Sequence, residues 1–266
     1  MTGPAIEVVA SPAAGVALAA DRIVKAMRAA VDARGRADWA TSGGSTPVGI
    51  YQRLAVPPLV DEMPWAGVHV WWGDDRYVPR DHPASNVKAF DDILLAASAD
   101  EEGTAGTHGG RPIPLENVHP FPIGVAIGED RGAAWAASTL AGELRAAPVD
   151  RVDGWPVFDL VIVGVGPDGH VLSVFPGSAA IDSTELALAI PAPTHIEPHL
   201  ERVTLNPAVL GVAREVLVAA FGADKAPVLA SVLGPEKDPR RWPAQLAVRD
   251  GATWILDEAS ASRLDR

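Results

Sequence analysis

The chain has 266 residues, 48% hydrophobic and 21% charged, with a formal charge of −12; this suits a soluble globular protein with one domain over 1–266. So acidic a chain is a poor partner for nucleic acid or an anionic membrane, and with no cysteine it has no disulfide, thiolate nucleophile or cysteine-based metal site. No apolar run of about 18 residues marks a membrane span, and residues 1–10 lack the basic start and apolar core of a signal peptide, so a cytoplasmic protein is expected.

Ile6-Glu7-Val8-Val9-Ala10 reads as a short strand. Ser11-Pro12 then starts a helix, with the serine as cap and the proline in the first turn. Its apolar residues, from Val16 through Ile23 and Met27 to Val31, recur at helical spacing. Ala37–Thr41 is a second strand, ending in Ser42-Gly43-Gly44-Ser45-Thr46-Pro47 before a helix carrying Ile50, Tyr51 and Leu54. Val68–Trp72 is a third, with Trp71 and Trp72 facing opposite sides of the sheet, and Gly73-Asp74-Asp75-Arg76-Tyr77-Val78-Pro79 follows. A helix is predicted over 86–97, a polar surface loop over 98–114, a short strand over 117–121 and a helix over 130–147. Residues 157–163 form a buried central strand; 186–190, Arg202–Leu205 and Glu215–Ala220 are further strands. The last runs through Gly222-Ala223-Asp224-Lys225 into a helix to Leu233, and 253–256 is the closing strand. Strands alternating with helices specify an α/β fold: a doubly wound, mostly parallel sheet flanked by helices.

Four places carry chemistry. After strand 157–163 comes Gly164-Val165-Gly166-Pro167-Asp168-Gly169-His170. Open α/β sheets bind ligands beyond the carboxyl ends of their strands, where Asp168 and His170 would sit. Histidine exchanges a proton near neutral pH, and an aspartate against an imidazole selects its tautomer and stabilises the imidazolium. The segment Ser42 to Pro47 is either a phosphate cradle at a helix start or a tight turn with a serine cap; it lacks the lysine and spacing of nucleotide loops. Asp74-Asp75-Arg76, taken alone, reads as a solvated charged turn, and two acids without a third do not make a magnesium site. Arg202 and Lys225 lie near strand ends; an exposed position is the default, yet an anionic ligand of so acidic a chain needs such groups. His195 and His199 have the spacing of a helical metal pair, but Pro193 and Pro198 interrupt any helix there, so no metal is expected. None of the other histidines has the setting of His170.

In this order, these segments resemble the 6-phosphogluconolactonase family. The likeness is carried by Ser42 to Pro47, Trp71 to Pro79, Ser85-Asn86, Gly164 to His170 with Phe175-Pro176-Gly177, Arg202-Val203-Thr204, and Gly222 to Ala226, and it spans residues 5–257. The family is grouped with glucosamine-6-phosphate isomerase/deaminase on a doubly wound α/β fold. The resemblance implies hydrolysis of 6-phospho-D-glucono-1,5-lactone to 6-phosphogluconate, in the oxidative pentose phosphate pathway, by a monomer or small homo-oligomer without cofactor. It also implies roles. His170 is the general base, oriented by Asp168. The amides of Gly166 and Gly169 stabilise the oxyanion. Ser42, Gly43, Gly44, Ser45, Thr46, Arg76, Arg202 and Lys225 hold the 6-phosphate, and Asp75, or else Asp74, touches the substrate. Two departures stand out. Asp75 replaces the family's glutamate, and 171–174 read Val-Leu-Ser-Val, on an expected helix, where the family often has Thr-Ala-Ser-Leu. A deaminase would carry an acid shortly after the histidine, and Ser173-Val174-Phe175-Pro176 has none; a sugar-phosphate sensing domain would be joined to a basic DNA-binding extension, which is not seen.

Overall fold

The computed structural model describes residues 3–95, 107–108 and 111–264. Strand β1 (Ala5–Val9) leads into helix α1 (Pro12–Arg34). Ser11 caps α1 from an extended backbone, its side chain accepting from the Ala14 N–H, and Pro12 occupies the first turn, where a missing N–H costs nothing. Then come β2 (Ala37–Thr41), α2 (Ser45–Leu54), β3 (Val68–Trp72), β4 (Asp74–Arg76), β5 (Val118–His119), α3 (Gly132–Ala146) and β6 (Leu160–Val163). The second half adds β7 (Ala187–Ile190), β8 (Arg202–Leu205), β9 (Glu215–Ala220), α4 (Ala226–Val232) and β10 (Ala252–Asp257).

Seven strands pair in parallel in the order β1-β10-β9-β6-β2-β3-β5. Every residue of β2, β6 and β10 is buried, as strands covered on both faces require. One continuous apolar cluster joins the sheet to its helices. From β2 the chain moves outward to β3 and β5, returns to β6 on the other side of β2, and continues outward to β9 and β10. The strand order therefore reverses between β2 and β6, and a ligand crevice opens beyond their carboxyl ends.

Strands 187–190 and 202–205 form where expected but belong to a second, antiparallel sheet, β7-β8-β4. Its third member, Asp74–Arg76, was expected as a solvated turn; Asp74 and Asp75 are instead buried. The helix over 86–97 shrinks to one turn, Lys88–Phe90, that widens into a π turn, Asp91–Leu95; 96–97 lie outside the described residues. So does most of the 98–114 loop, within which Thr107–His108 pairs with Arg111–Pro112. Residues 171–174 are no helix: Leu172 takes a φ of 55°, and Val171 bridges to Val174. Among the described residues no helix is long and apolar enough to cross a membrane.

Candidate active site

A cavity of about 380 Å³ opens at the reversal point. Gly43, Gly44, Ser45 and Thr46 line it from the β2–α2 turn, Val163, Gly164 and Val165 from the end of β6, and Asp224 and Lys225 from beyond β9. Helix α2 begins at Gly44 with no side-chain cap. The amides of its first turn lack intrahelical acceptors and stand at the positive end of the helix dipole. Lys225 Nζ donates to the Val165 carbonyl at 3.0 Å, which ties the cation to this rim. Ser42 is not in the lining; its carbonyl accepts from Tyr51 Oη at 2.8 Å, and Tyr51 Oη also pairs with Thr41 Oγ1 at 2.7 Å. Burial raises the Tyr51 hydroxyl well above its usual value, so the phenol stays protonated.

Gly43 is required by its neighbour: a Cβ there would lie 1.9 Å from Asn86 Oδ1. Asn86 is itself buried, with Nδ2 donating to the Asp74 carbonyl at 2.9 Å.

Just past the cavity wall, the turn after β6 closes on itself. Gly166 N donates to the His170 carbonyl (2.9 Å) and Gly169 N to the Gly166 carbonyl (3.0 Å). These two amides, expected to face an oxyanion, are therefore already spent on holding the turn. The His170 ring lies flat against Gly166, where a Cβ would stand 2.0 Å from Nδ1. His170 Nδ1 is 2.6 Å from Asp168 Oδ1, which also accepts the His170 backbone N–H at 3.1 Å. Burial works against the Asp168 carboxylate, yet the His170 hydrogen bond and charge, with the His195 hydrogen bond, hold its pKa well below the usual range. An ionised carboxylate only accepts, so Nδ1 carries the proton and the Nε2 lone pair is free. Nε2 has no partner among the described residues, and the side chain keeps 19% of its surface exposed.

The second sheet docks this turn. Ser173 Oγ donates to Asp74 Oδ2 at 2.6 Å, and Ser173 N approaches Thr204 Oγ1 at 3.4 Å. Side chains alternate along a strand, and the register pairs Arg202 with Arg76 and Thr204 with Asp74. Arg76, Arg202, Thr204 and Asp74 thus share a face, and Asp75 is on the other. The Asp75 oxygens accept from Arg76 N, Asn86 N and Ser85 Oγ at 2.6–3.1 Å, and the residue is 2% exposed. Burial pushes its pKa up to about 7, and Asp74 adds to the rise, against the hydrogen bonds from Asn86, Arg76 and Ser85. Asp75 therefore fastens the Ser85-Asn86 turn, rather than lining the cavity.

Arg76 and Arg202 are like charges placed opposite one another, an arrangement that costs stability. The Nε atoms of both are buried and unpaired among the described residues. Burial, then Arg76, pulls the Arg202 pKa down, with Asp74, Asp75 and Asp168 opposing. Arg202 Cζ lies 5.5 Å from the Phe175 ring centroid, and the His170 ring is 4.8 Å from the same centroid. The expected substrate residues thus divide. Gly43 to Thr46 and Lys225 share the cavity, and the arginine pair flanks the histidine turn.

Sequence reasoning missed Ser173 and His195 as parts of this site; of the two adjacent acids it left open, Asp74 is the one on the site face. His195 Nε2 lies 2.8 Å from Asp168 Oδ2. His199 Nδ1 donates to the Pro193 carbonyl instead, so the two histidines do not converge.

The family model described as glucosamine-6-phosphate isomerases/6-phosphogluconolactonase matches residues 10–255. The chain is 32% identical over 236 residues to a 6-phosphogluconolactonase of Synechocystis sp., covering 88% of each. It is 33% identical over 251 residues to one of Mycobacterium tuberculosis, covering 94% of each. Among solved structures, the 6-phosphogluconolactonase from Trypanosoma brucei superposes with a TM-score of 0.81 at 28% identity, over 98% of this chain and 99% of that one.

Proposed function

The chain belongs to the glucosamine-6-phosphate isomerase/6-phosphogluconolactonase family, and on that premise we propose how its residues hydrolyse 6-phosphogluconolactone. The reading rests on one observation: an imidazole at the carboxyl end of β6, its Nδ1 held 2.6 Å from Asp168 and its Nε2 free.

A lactone is an activated ester, so water and a general base suffice. His170 Nε2 takes a proton as the water oxygen attacks C1, giving a tetrahedral intermediate. The bond from C1 to the ring oxygen then breaks, and the imidazolium returns its proton to that oxygen. The ring opens to an acid that ionises. Asp168 keeps His170 in the productive tautomer and offsets the positive charge while the imidazolium exists. The 6-phosphate is held at the start of α2 by the Gly43 to Thr46 segment and by Lys225, while Arg76 and Arg202 stand beside the histidine turn. Anchoring the phosphate fixes the reacting carbon for attack. Developing negative charge is met by the arginine pair, since the Gly166 and Gly169 amides are occupied.

The test compares wild type with His170→Ala on freshly generated lactone, measured against spontaneous hydrolysis. General-base catalysis contributes about 100- to 10,000-fold, and kcat is expected to fall by that order. Calorimetric affinity for 6-phosphogluconate should stay within about twofold. A retained kcat removes His170 from the base role. Ammonia release from glucosamine 6-phosphate is expected to be absent.

A further inference from the structure

We propose that His195 is a positioning residue for the hydrolysis: from the segment between β7 and β8 it fastens the second oxygen of Asp168 and thereby sets the orientation and basicity of His170. The inference rests on the reading of His170 as the base.

Asp168 presents both oxygens to imidazoles. Oδ1 receives His170 Nδ1 at 2.6 Å and the His170 backbone N–H at 3.1 Å, and Oδ2 faces His195 Nε2 at 2.8 Å. Because an ionised carboxylate donates nothing, His195 carries its proton on Nε2 and acts as a donor. With both oxygens engaged, the carboxylate cannot turn about its own bond without breaking a contact. The plane of Oδ1, and with it the His170 ring, is therefore set by His195. The two rings are also braced on one side chain. The Phe175 centroid lies 4.8 Å from that of His170 and 5.8 Å from that of His195, the latter in an edge-on approach of 86°. The segment carrying His195 is itself anchored, since His199 Nδ1 donates to the Pro193 carbonyl at 2.7 Å.

The same geometry has an electrostatic consequence. Two donors share one negative charge, so what Oδ2 gives to His195 is withheld from the His170 imidazolium. The surrounding charges are Arg202 on β8, with Arg76 opposite it on β4, countered by Asp74 and Asp75. Lys225 is tied to the cavity rim by one hydrogen bond to the Val165 carbonyl. Of these groups, His195 alone touches the carboxylate from outside its own turn. It is also half exposed (50%) and outside both sheets, so its replacement spares the core.

The experiment measures kcat and KM across pH for His195→Ala and His195→Gln, and follows the His170 ring by NMR titration in the free protein. In the alanine variant, Asp168 concentrates its charge on His170. The His170 midpoint and the acid limb of kcat are expected to rise together by about half a pH unit. Plateau kcat should fall about three- to tenfold through lost alignment, with KM within about twofold. Glutamine, which supplies a side-chain N–H of similar reach, should return both midpoints toward wild type. An alanine variant with an unchanged His170 midpoint and acid limb overturns the proposal. The base reading stands or falls separately, on His170→Ala; if that variant kept its kcat, the NMR titration would still decide whether His195 acts on His170.

Discussion

Lys225 bears most directly on why a phosphorylated lactone would be preferred. Its ammonium has three donors, and one is used on the Val165 carbonyl, leaving two for a ligand in the cavity it lines with Gly43 to Thr46. A charge-assisted hydrogen bond is worth about 1.5–3 kcal/mol. Lys225→Ala is therefore expected to raise KM for 6-phosphogluconolactone roughly 10- to 150-fold, with kcat nearly unchanged. The preference over unphosphorylated gluconolactone should shrink by the same factor. If that preference survives intact, Lys225 does not hold the phosphate. At this scale the Asp168–His170 pair was legible because its members are two residues apart, on a glycine-flanked turn after an apolar run. His195 was not legible, because it reaches the same carboxylate from 27 residues away. Nor could adjacent acids be told apart until Asp74–Arg76 was seen as a strand, which sends Asp74 to the site face and Asp75 to the Ser85-Asn86 turn.

Among the elements, the turn after β6 depends on a close approach rather than on any donor. A Cβ on Gly166 would lie 2.0, 2.1 and 2.7 Å from Nδ1, Cε1 and Cγ of His170, so Gly166→Ala must push the ring off Asp168. Overpacking of this kind costs about 1–3 kcal/mol, a loss of a few degrees in melting temperature for a chain of this size. Catalysis should suffer far more, with kcat falling about 100-fold or beyond as the base loses its alignment, while calorimetric affinity for 6-phosphogluconate persists. An alanine variant with wild-type kcat would show that the ring's seat on Gly166 is immaterial. The inner parallel strands were legible because they are mostly apolar and buried along their length. The second sheet was not. Its strand β4 has three residues, all charged, and only pairing with β8 and the buried partners Ser85, Asn86 and Ser173 makes such a strand affordable. Residues 171–174 misled for a related reason: an apolar run of that length fits a buried helix and a buried loop equally.

Across the whole molecule, the end of β2 and β3 opposite the cavity holds a polar chain that couples stability to pH. Arg36 grips Asp38 with two hydrogen bonds of 2.7–2.8 Å, and Trp71 Nε1 donates to the same carboxylate at 2.9 Å. Arg36 Nη1 lies 2.9 Å from His69 Nε2, and His69 Nδ1 lies 3.0 Å from His119 Nε2. A guanidinium only donates, so His69 accepts from Arg36 and passes its own Nδ1 proton toward His119. Both rings are neutral in this arrangement, and His119 stacks on Trp71 at 4.0 Å. Burial, then the repulsion a protonated His69 would exert and the Arg36 charge, lowers the His119 pKa to about 4, against the pull of Asp38. Its folded pKa is depressed below that of the unfolded chain, near 6.5. The stability it contributes is full above that value and is lost as pH falls toward 4, because the unfolded chain takes up the proton first. Asp75 has the opposite sign. With its pKa raised to about 7, its contribution is full below the unfolded value near 3.8 and is lost as pH rises through 7. The two slopes oppose one another over the same interval and flatten the wild-type profile. His119→Phe keeps an aromatic ring on Trp71 and removes the titration. Relative to that variant, wild type should lose stability progressively between pH 6.5 and 4, by on the order of 1 kcal/mol once solvent screening of the half-buried ring is allowed for, read as the difference in denaturant midpoints at each pH. A difference that stays constant over that range would mean that the His119 proton equilibrium is the same folded and unfolded.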